Sequence, residues 1–121
     1  MLEELWQPVE GFPNYEISNY GRVVNVRTGY ELKNWTCGPG GRYLRVELSK
    51  DSLRRAFFLH RLVAREFFLQ FNDSVEVRCK NGNYHDCTVA NITIHQTETG
   101  YRRGAILIYG EGDGRSISSS D

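Results

Sequence analysis

The sequence predicts an α+β fold: a small N-terminal β module, then a β-hairpin, a helix and a ββα unit. Three observations carry that prediction. Tyr43-Leu44-Arg45-Val46-Glu47-Leu48 has the alternating pattern of a strand. Residues 60–68 place Leu62, Val63, Phe67 and Ala64 on one side, with Leu59 just before them, and Arg61, Arg65 and Glu66 on the other, as in an amphipathic helix. Residues 75–100 read as a hairpin, with a short apolar strand (Val75, Val77), a polar loop, a second strand (Ile92, Ile94) and a helix start.

A chain of 121 residues is one domain, or a small domain with a short appendage. A hydrophobic content of 40% with 12% aromatic residues supports a small core. Fifteen basic residues balance fifteen acidic ones, so net charge carries no nucleic-acid signal. Twelve of those cations are Arg, however, the side chain suited to planar contacts with phosphates and guanine edges. Residues 42–65 hold Arg42, Arg45, Lys50, Arg54, Arg55, Arg61 and Arg65 against Glu47 and Asp51. The plainer reading of that stretch is a solvated strand-and-helix surface.

No apolar run approaches the roughly 18–20 residues of a membrane span, and no secretory leader opens the chain. A soluble, cytoplasmic protein is expected. Cys37, Cys79 and Cys87 are an odd number without a tight pair, which suits a reducing compartment better than a disulfide framework.

In chain order, Trp6, Phe12 and Tyr15 are expected to form an aromatic mini-core around a turn at Gly11-Phe12-Pro13-Asn14. A brief strand follows at residues 15–17. Then comes a tight turn at Ser18-Asn19-Tyr20-Gly21, with Gly21 free to take positive φ, and a strand through Val23, Val24 and Val26. Residues 31–35 read as a short strand and Gly38-Pro39-Gly40-Gly41 as a flexible turn. A phosphate-cradling loop needs a helix after it, and here a strand follows, so a nucleotide-binding loop is rejected. Ser49-Lys50-Asp51-Ser52 is read as a turn and residues 54–59 as the return strand of a hairpin.

Trp6, Pro8, Val9, Gly11, Phe12, Tyr15, Ile17, Ser18, Asn19, Gly21, Arg22 and Val23 resemble the NUMOD-type motif found beside HNH homing endonucleases of phages and bacteria. The pattern is long and idiosyncratic. The resemblance implies a motif that grips DNA, with Arg22 and Arg27 as phosphate contacts; the alternative has Arg22 bracketing the turn. The return strand, the run His60-Arg61-Leu62-Val63-Ala64 and a following Phe resemble the same family just upstream of its active-site hairpin. His60 matches a family position, yet it opens a helix beside apolar residues and is read as structural and hydrogen-bonding rather than catalytic. The division implied is a NUMOD-type motif at 1–30, an HNH-like domain at 31–104, and an added strand with a tail at 105–121.

In that family the hairpin and helix form a ββα-metal site, where a strand-borne His activates water and one divalent ion sits on the scissile phosphate. The matching text here is Val77-Arg78-Cys79-Lys80-Asn81-Gly82-Asn83, and Asn91-Ile92 matches the family's Asn-Leu. Cys79 stands at the His position, Arg78 at the adjacent ligand position and Gly100 at a later one. A cation repels a metal, and a thiolate is a soft ligand where hard cations prefer oxygen. Base and both ligands are lost together, so the site is read as dead and no cofactor is expected.

Two rescues are weighed. His85, in the loop beside Asp86, or His95, on the second strand, could serve as a general base, and Mg²⁺ or Mn²⁺ would then be the cofactor. Cys79, His85, Cys87 and His95 could instead hold Zn²⁺, but the Cys-x7-Cys spacing is not a zinc knuckle. The plainer role for Cys79 and Cys87 is as small buried groups.

The expectation is a non-cleaving DNA-binding protein derived from a phage-type HNH homing endonuclease. Its partner would be double-stranded DNA, met by Arg22, Arg27, Arg42, Arg45, Arg54, Arg55, Arg61, Arg65 and, on the hairpin unit's helix, Arg102 and Arg103. The alternatives are an active metal-dependent HNH endonuclease with a relocated base, and a phage protein that inhibits a host protein. The apolar run at 105–109 favours the last, through strand pairing with a partner or with a second copy. Residues 110–121 are small and polar, a composition that predicts disorder.

Overall fold

The computed structural model describes residues 3–96. Gly100, Arg102, Arg103, the strand expected at 105–109 and the tail lie outside the described residues. The described residues form two compact units, one of residues 3–70 with 77–93 and one of residues 71–76 with 94–96.

The first unit opens with a four-stranded antiparallel sheet, in the order β1 (Trp6–Val9), β2 (Phe12–Ser18), β3 (Val23–Asn25), β4 (Tyr30–Glu31). Its first reversal is shorter than the sequence predicts. Val9 pairs directly with Phe12 after a bulge at Pro8/Val9, because Gly11 at φ +85° turns the chain within two residues. Phe12, Pro13 and Asn14 are therefore strand rather than turn. Pro13, which has no N–H to donate, falls outside the stretch that β3 pairs, Tyr15 to Ile17. The turn at Ser18–Gly21 forms as expected, with Gly21 at φ +84° and its N–H donating to the Ser18 carbonyl at 2.9 Å. Of the expected mini-core, Tyr15 is buried while Trp6 and Phe12 are half-buried.

The strand expected at 31–35 is two separate pieces. The turn at residues 26–29 folds β4 back onto β3, and Leu32 donates its N–H to the Val23 carbonyl at 2.8 Å. The chain then leaves this sheet, and β5 (Trp35–Cys37) begins a second one with β6 (Tyr43–Lys50) and β7 (Leu53–Phe58). Between β5 and β6, Pro39–Gly41 forms one 3-10 turn. Ser49 and Lys50 belong to β6, not to a turn. Asp51 and Ser52 alone reverse the chain, both at positive φ (52° and 69°), the geometry of a two-residue hairpin loop.

α1 (Leu59–Phe67) follows directly, one residue earlier than its pattern indicates. Leu59, Leu62, Val63 and Ala64 are buried as expected, whereas Phe67 is half-buried and His60 is buried. The helix packs against β1, β2, β6 and β7. The core unites Val9, Ile17 and Val23 with Val46, Leu48 and the buried side of α1. Each fully buried Val, Leu or Ile there contributes roughly 1.5–3 kcal/mol of transfer free energy.

β8 (Glu76–Cys79) and β9 (Ile92–His95) pair as a two-stranded sheet, the expected hairpin. In the second unit, Asn72 organises residues 72–75. Its side-chain Oδ1 accepts the Ser74 N–H at 2.8 Å and its carbonyl accepts the Val75 N–H at 3.3 Å. Among the described residues no helix is long and apolar enough to cross a membrane.

Candidate functional site

The hairpin loop is shaped by short amide and carboxylate side chains. Lys80 donates its N–H to the Asn91 carbonyl at 2.6 Å, closing the loop at its base. The Asn91 side chain then fills the interior. Its Nδ2 donates to Asn81 Oδ1 at 3.0 Å and to the Asp86 carbonyl at 2.8 Å, and its Oδ1 accepts the Asn81 N–H at 3.2 Å. Asp86 Oδ1 accepts the Thr88 hydroxyl at 3.0 Å, and Asn83 Oδ1 accepts the His85 N–H at 3.0 Å. These are side chains standing in for backbone turns, which Asn and Asp do well. Sequence reasoning missed the network, although the Asn81-Gly82-Asn83 run and the Asp86-x-Thr88 spacing signalled it.

The N-terminal motif anchors this loop. Val89 donates its N–H to the Asn19 carbonyl at 2.8 Å. Asn19 itself is buried, with Oδ1 accepting the Leu5 N–H at 2.7 Å and Nδ2 donating to the Glu3 carbonyl at 3.1 Å. Gly21 lies so close to Cys87 that a Cβ there would meet the Cys87 Cβ and carbonyl oxygen at 3.1 Å.

The candidate base positions have distinct surroundings. Cys79 is buried, its Sγ 3.8 Å from the Asp86 carbonyl oxygen; burial, then the Asp86 charge, pushes its thiol up to about 11. Cys87 donates its thiol to the Tyr84 carbonyl at 3.4 Å and is pushed up to about 12, first by burial and then by Cys79 and Asp86. Both are neutral thiols near pH 7. Arg78 is exposed on β8. His85 is exposed, with its Nε2–H donating to the Gly41 carbonyl at 2.8 Å. His95 lies half-buried on β9, in the second unit.

His60 is structural in a way its sequence position did not show. It is buried, its Nδ1 makes no hydrogen bond, and it stands among aromatic rings. Tyr43 stacks on it at a centroid distance of 5.7 Å and an interplanar angle of 19°. Tyr84 meets it edge-on at 4.9 Å, and Phe58 is tilted against it at 5.9 Å. The expected hydrogen bond is not made by Nδ1, and the ring packs among Tyr43, Tyr84 and Phe58 instead; burial and then the charge of Arg61 lower its pKa from 6.5 to about 4.

The candidate DNA-contacting arginines divide into groups. Arg22 lies between Glu4 at 2.6 Å and Glu31 at 3.1 Å, with its guanidinium 5.4 Å from the centre of the Trp6 ring. Glu31, then Glu4, raise its pKa further. Arg65 donates to the Glu10 carbonyl, pairs with Glu66 at 3.3 Å and covers the Phe57 ring. Arg55 covers Phe57 too and pairs in register with Leu48 on the core side of the sheet. Arg61 is half-buried on α1, and Arg27 is exposed in the β3–β4 turn. Arg42, Arg45 and Arg54 are exposed. By the pleat, Arg45 and Arg54 share the outer face of the β5–β7 sheet with Trp35, Tyr43 and Phe58. Arg42 lies over Tyr43 at 5.7 Å and Tyr84 at 5.2 Å.

The described residues thus hold small antiparallel sheets, one α-helix and the hairpin, and this fold is matched among known structures. The chain matches the NUMOD4 motif over residues 4–49 and is similar in sequence to HNH endonucleases. The DNA endonuclease I-HmuI of Bacillus phage SP01 is 33% identical over 79 residues, covering 64% of this chain and 44% of that protein. An uncharacterized HNH endonuclease of Acanthamoeba polyphaga mimivirus is 38% identical over 78 residues, covering 64% of this chain and 23% of that one. A solved structure on DNA binding and cleavage by the HNH homing endonuclease I-HmuI matches with a TM-score of 0.67 and 29% identity, over 76% of this chain and 52% of that one. The chain spans about half the length, or less, of the relatives it matches.

Proposed function

We propose that this chain binds DNA and does not cut it. The observation that carries the reading is the pair Arg78 and Cys79 at the end of β8. The family resemblance implies a divalent ion and a water-activating base at this hairpin, and the residues present do not fit them. A buried thiol held near 11 is neither a base nor a ligand for a hard cation at neutral pH. Arg78, which stands at the adjacent ligand position by the family resemblance, is a cation and offers no oxygen to a hard metal ion. His85, one of the two fallback bases, is engaged through its Nε2–H with the Gly41 carbonyl, a bond that ties the loop in place.

DNA binding draws support from the exposed Arg45 and Arg54 on the outer face of the β5–β7 sheet, from the exposed Arg42 over Tyr43 and Tyr84, and from the likeness to the DNA-binding and -cleaving endonuclease I-HmuI. Phosphate contacts release counterions, so affinity falls as salt rises. The competing reading, a metal-dependent endonuclease with its base moved to His85 or His95, has the names of the relatives behind it. Gel-shift titrations across a salt series test the proposal. A steep loss of affinity with salt supports it, and no shift at low salt sinks it.

A further inference from the structure

We propose that the outer face of the β5–β7 sheet is a stacking platform for unpaired DNA bases. The proposal rests on the DNA-binding reading and names the form of DNA that this face takes. Register places Trp35, Arg45 and Phe58 in one cross-strand row, and Cys37 with Tyr43 in the next. Trp35 is 41% exposed and Phe58 43%, although both are large apolar rings. Tyr43 packs edge-on against Phe58 at 5.5 Å and against Tyr84 at 5.1 Å, so these three rings form one cluster, with Trp35 across Arg45 from Phe58 in the same row. His60 stacks against Tyr43 and fixes its plane.

Cations are interleaved with these rings. The Arg45 guanidinium lies 5.5 Å from the centre of the Trp35 ring, and Arg42 covers Tyr43 and Tyr84. Glu47, on the same face, is paired with Arg54 at 3.7 Å. An apolar protein segment would cover the rings but leave the arginines unmatched. Duplex DNA would match the arginines but keeps its base planes stacked inside. A single strand offers both partners at once, base planes for the rings and phosphates for the guanidiniums.

The chain has two tryptophans, so a Trp6→Phe variant leaves Trp35 as the only reporter. Its emission is followed while the full chain is titrated with an oligodeoxythymidylate of roughly 12 nucleotides, and separately with a DNA hairpin duplex. The single strand is expected to quench Trp35, and the duplex to leave it bright. Trp35→Ala and Phe58→Ala are each expected to weaken single-strand binding by about 5- to 150-fold. Trp35→Phe, which keeps a ring, retains most of the affinity, so a folding defect in the alanine variants does not decide the matter. Absent quenching by the single strand, or equal quenching by the duplex, overturns the platform even if duplex binding persists. Failure to bind either form removes the DNA-binding reading with it.

Discussion

His85 donates its Nε2–H to the carbonyl of Gly41 at 2.8 Å, tying the hairpin loop to the glycine turn that precedes β6. The bond joins positions 44 residues apart, and it gives an exposed loop histidine a structural task. His85→Ala is expected to lower stability by about 0.5–1.5 kcal/mol, the net value of one hydrogen bond. Urea unfolding of the two proteins measures that difference. A loss of metal-dependent DNA cleavage in the same variant would show that His85 is a base instead.

His60 makes stability pH-dependent in a defined window. Its pKa falls from 6.5 in an ordinary setting to about 4 in the fold, through burial first and Arg61 second. As pH drops below about 6.5 the unfolded chain takes this proton first. The stability contribution is thus complete above about 6.5 and is lost as pH falls through about 4. The loss is on the order of 2 kcal/mol once solvent screening is allowed for. His60→Phe keeps a ring against Tyr43 and is expected to flatten this part of the curve, as read by thermal melts between these pH values.

Gly21 is constrained twice, by φ +84° and by its contact with Cys87. Gly82, at φ +77°, has nothing within 4 Å of the Cβ position. Gly82→Ala therefore carries only the left-handed backbone cost of about 1–2 kcal/mol. Gly21→Ala carries that plus displacement of the hairpin loop, and is expected to be the more destabilising of the two in the same unfolding assay.

The arginines are expected to separate by role. Arg42→Ala and Arg45→Ala each lower the slope of log affinity against log salt by about one. Arg22→Ala leaves that slope unchanged, because Glu4 and Glu31 already neutralise the guanidinium. Arg65→Ala acts on stability, through its bonds to Glu10 and Glu66.

Local pattern made much of this fold readable. Tyr43 to Leu48 alternates as a strand does, and the spacing of Leu62, Val63 and Ala64 marks the buried side of α1. What local pattern missed was decided at a distance. The Glu10-Gly11 reversal replaced a longer turn because Val9 could pair with Phe12. Ser49 and Lys50 became strand because Arg54 and Leu53 paired with them. His60 looked like a polar helix opener until Tyr43, Phe58 and Tyr84 closed around it, and none of the three is spaced from it in a recognisable motif. The Arg78-Cys79 pair was legible as a departure from the family text. The neutral state of the thiol was not, since it depends on burial.

The central claim, binding without cleavage, is met most directly by incubating supercoiled plasmid with Mg²⁺ or Mn²⁺ at protein concentrations that saturate the gel shift. The expected result is fully bound plasmid that remains supercoiled after the protein is removed. Metal-dependent conversion to the nicked form would contradict it and establish a nuclease with a rearranged site.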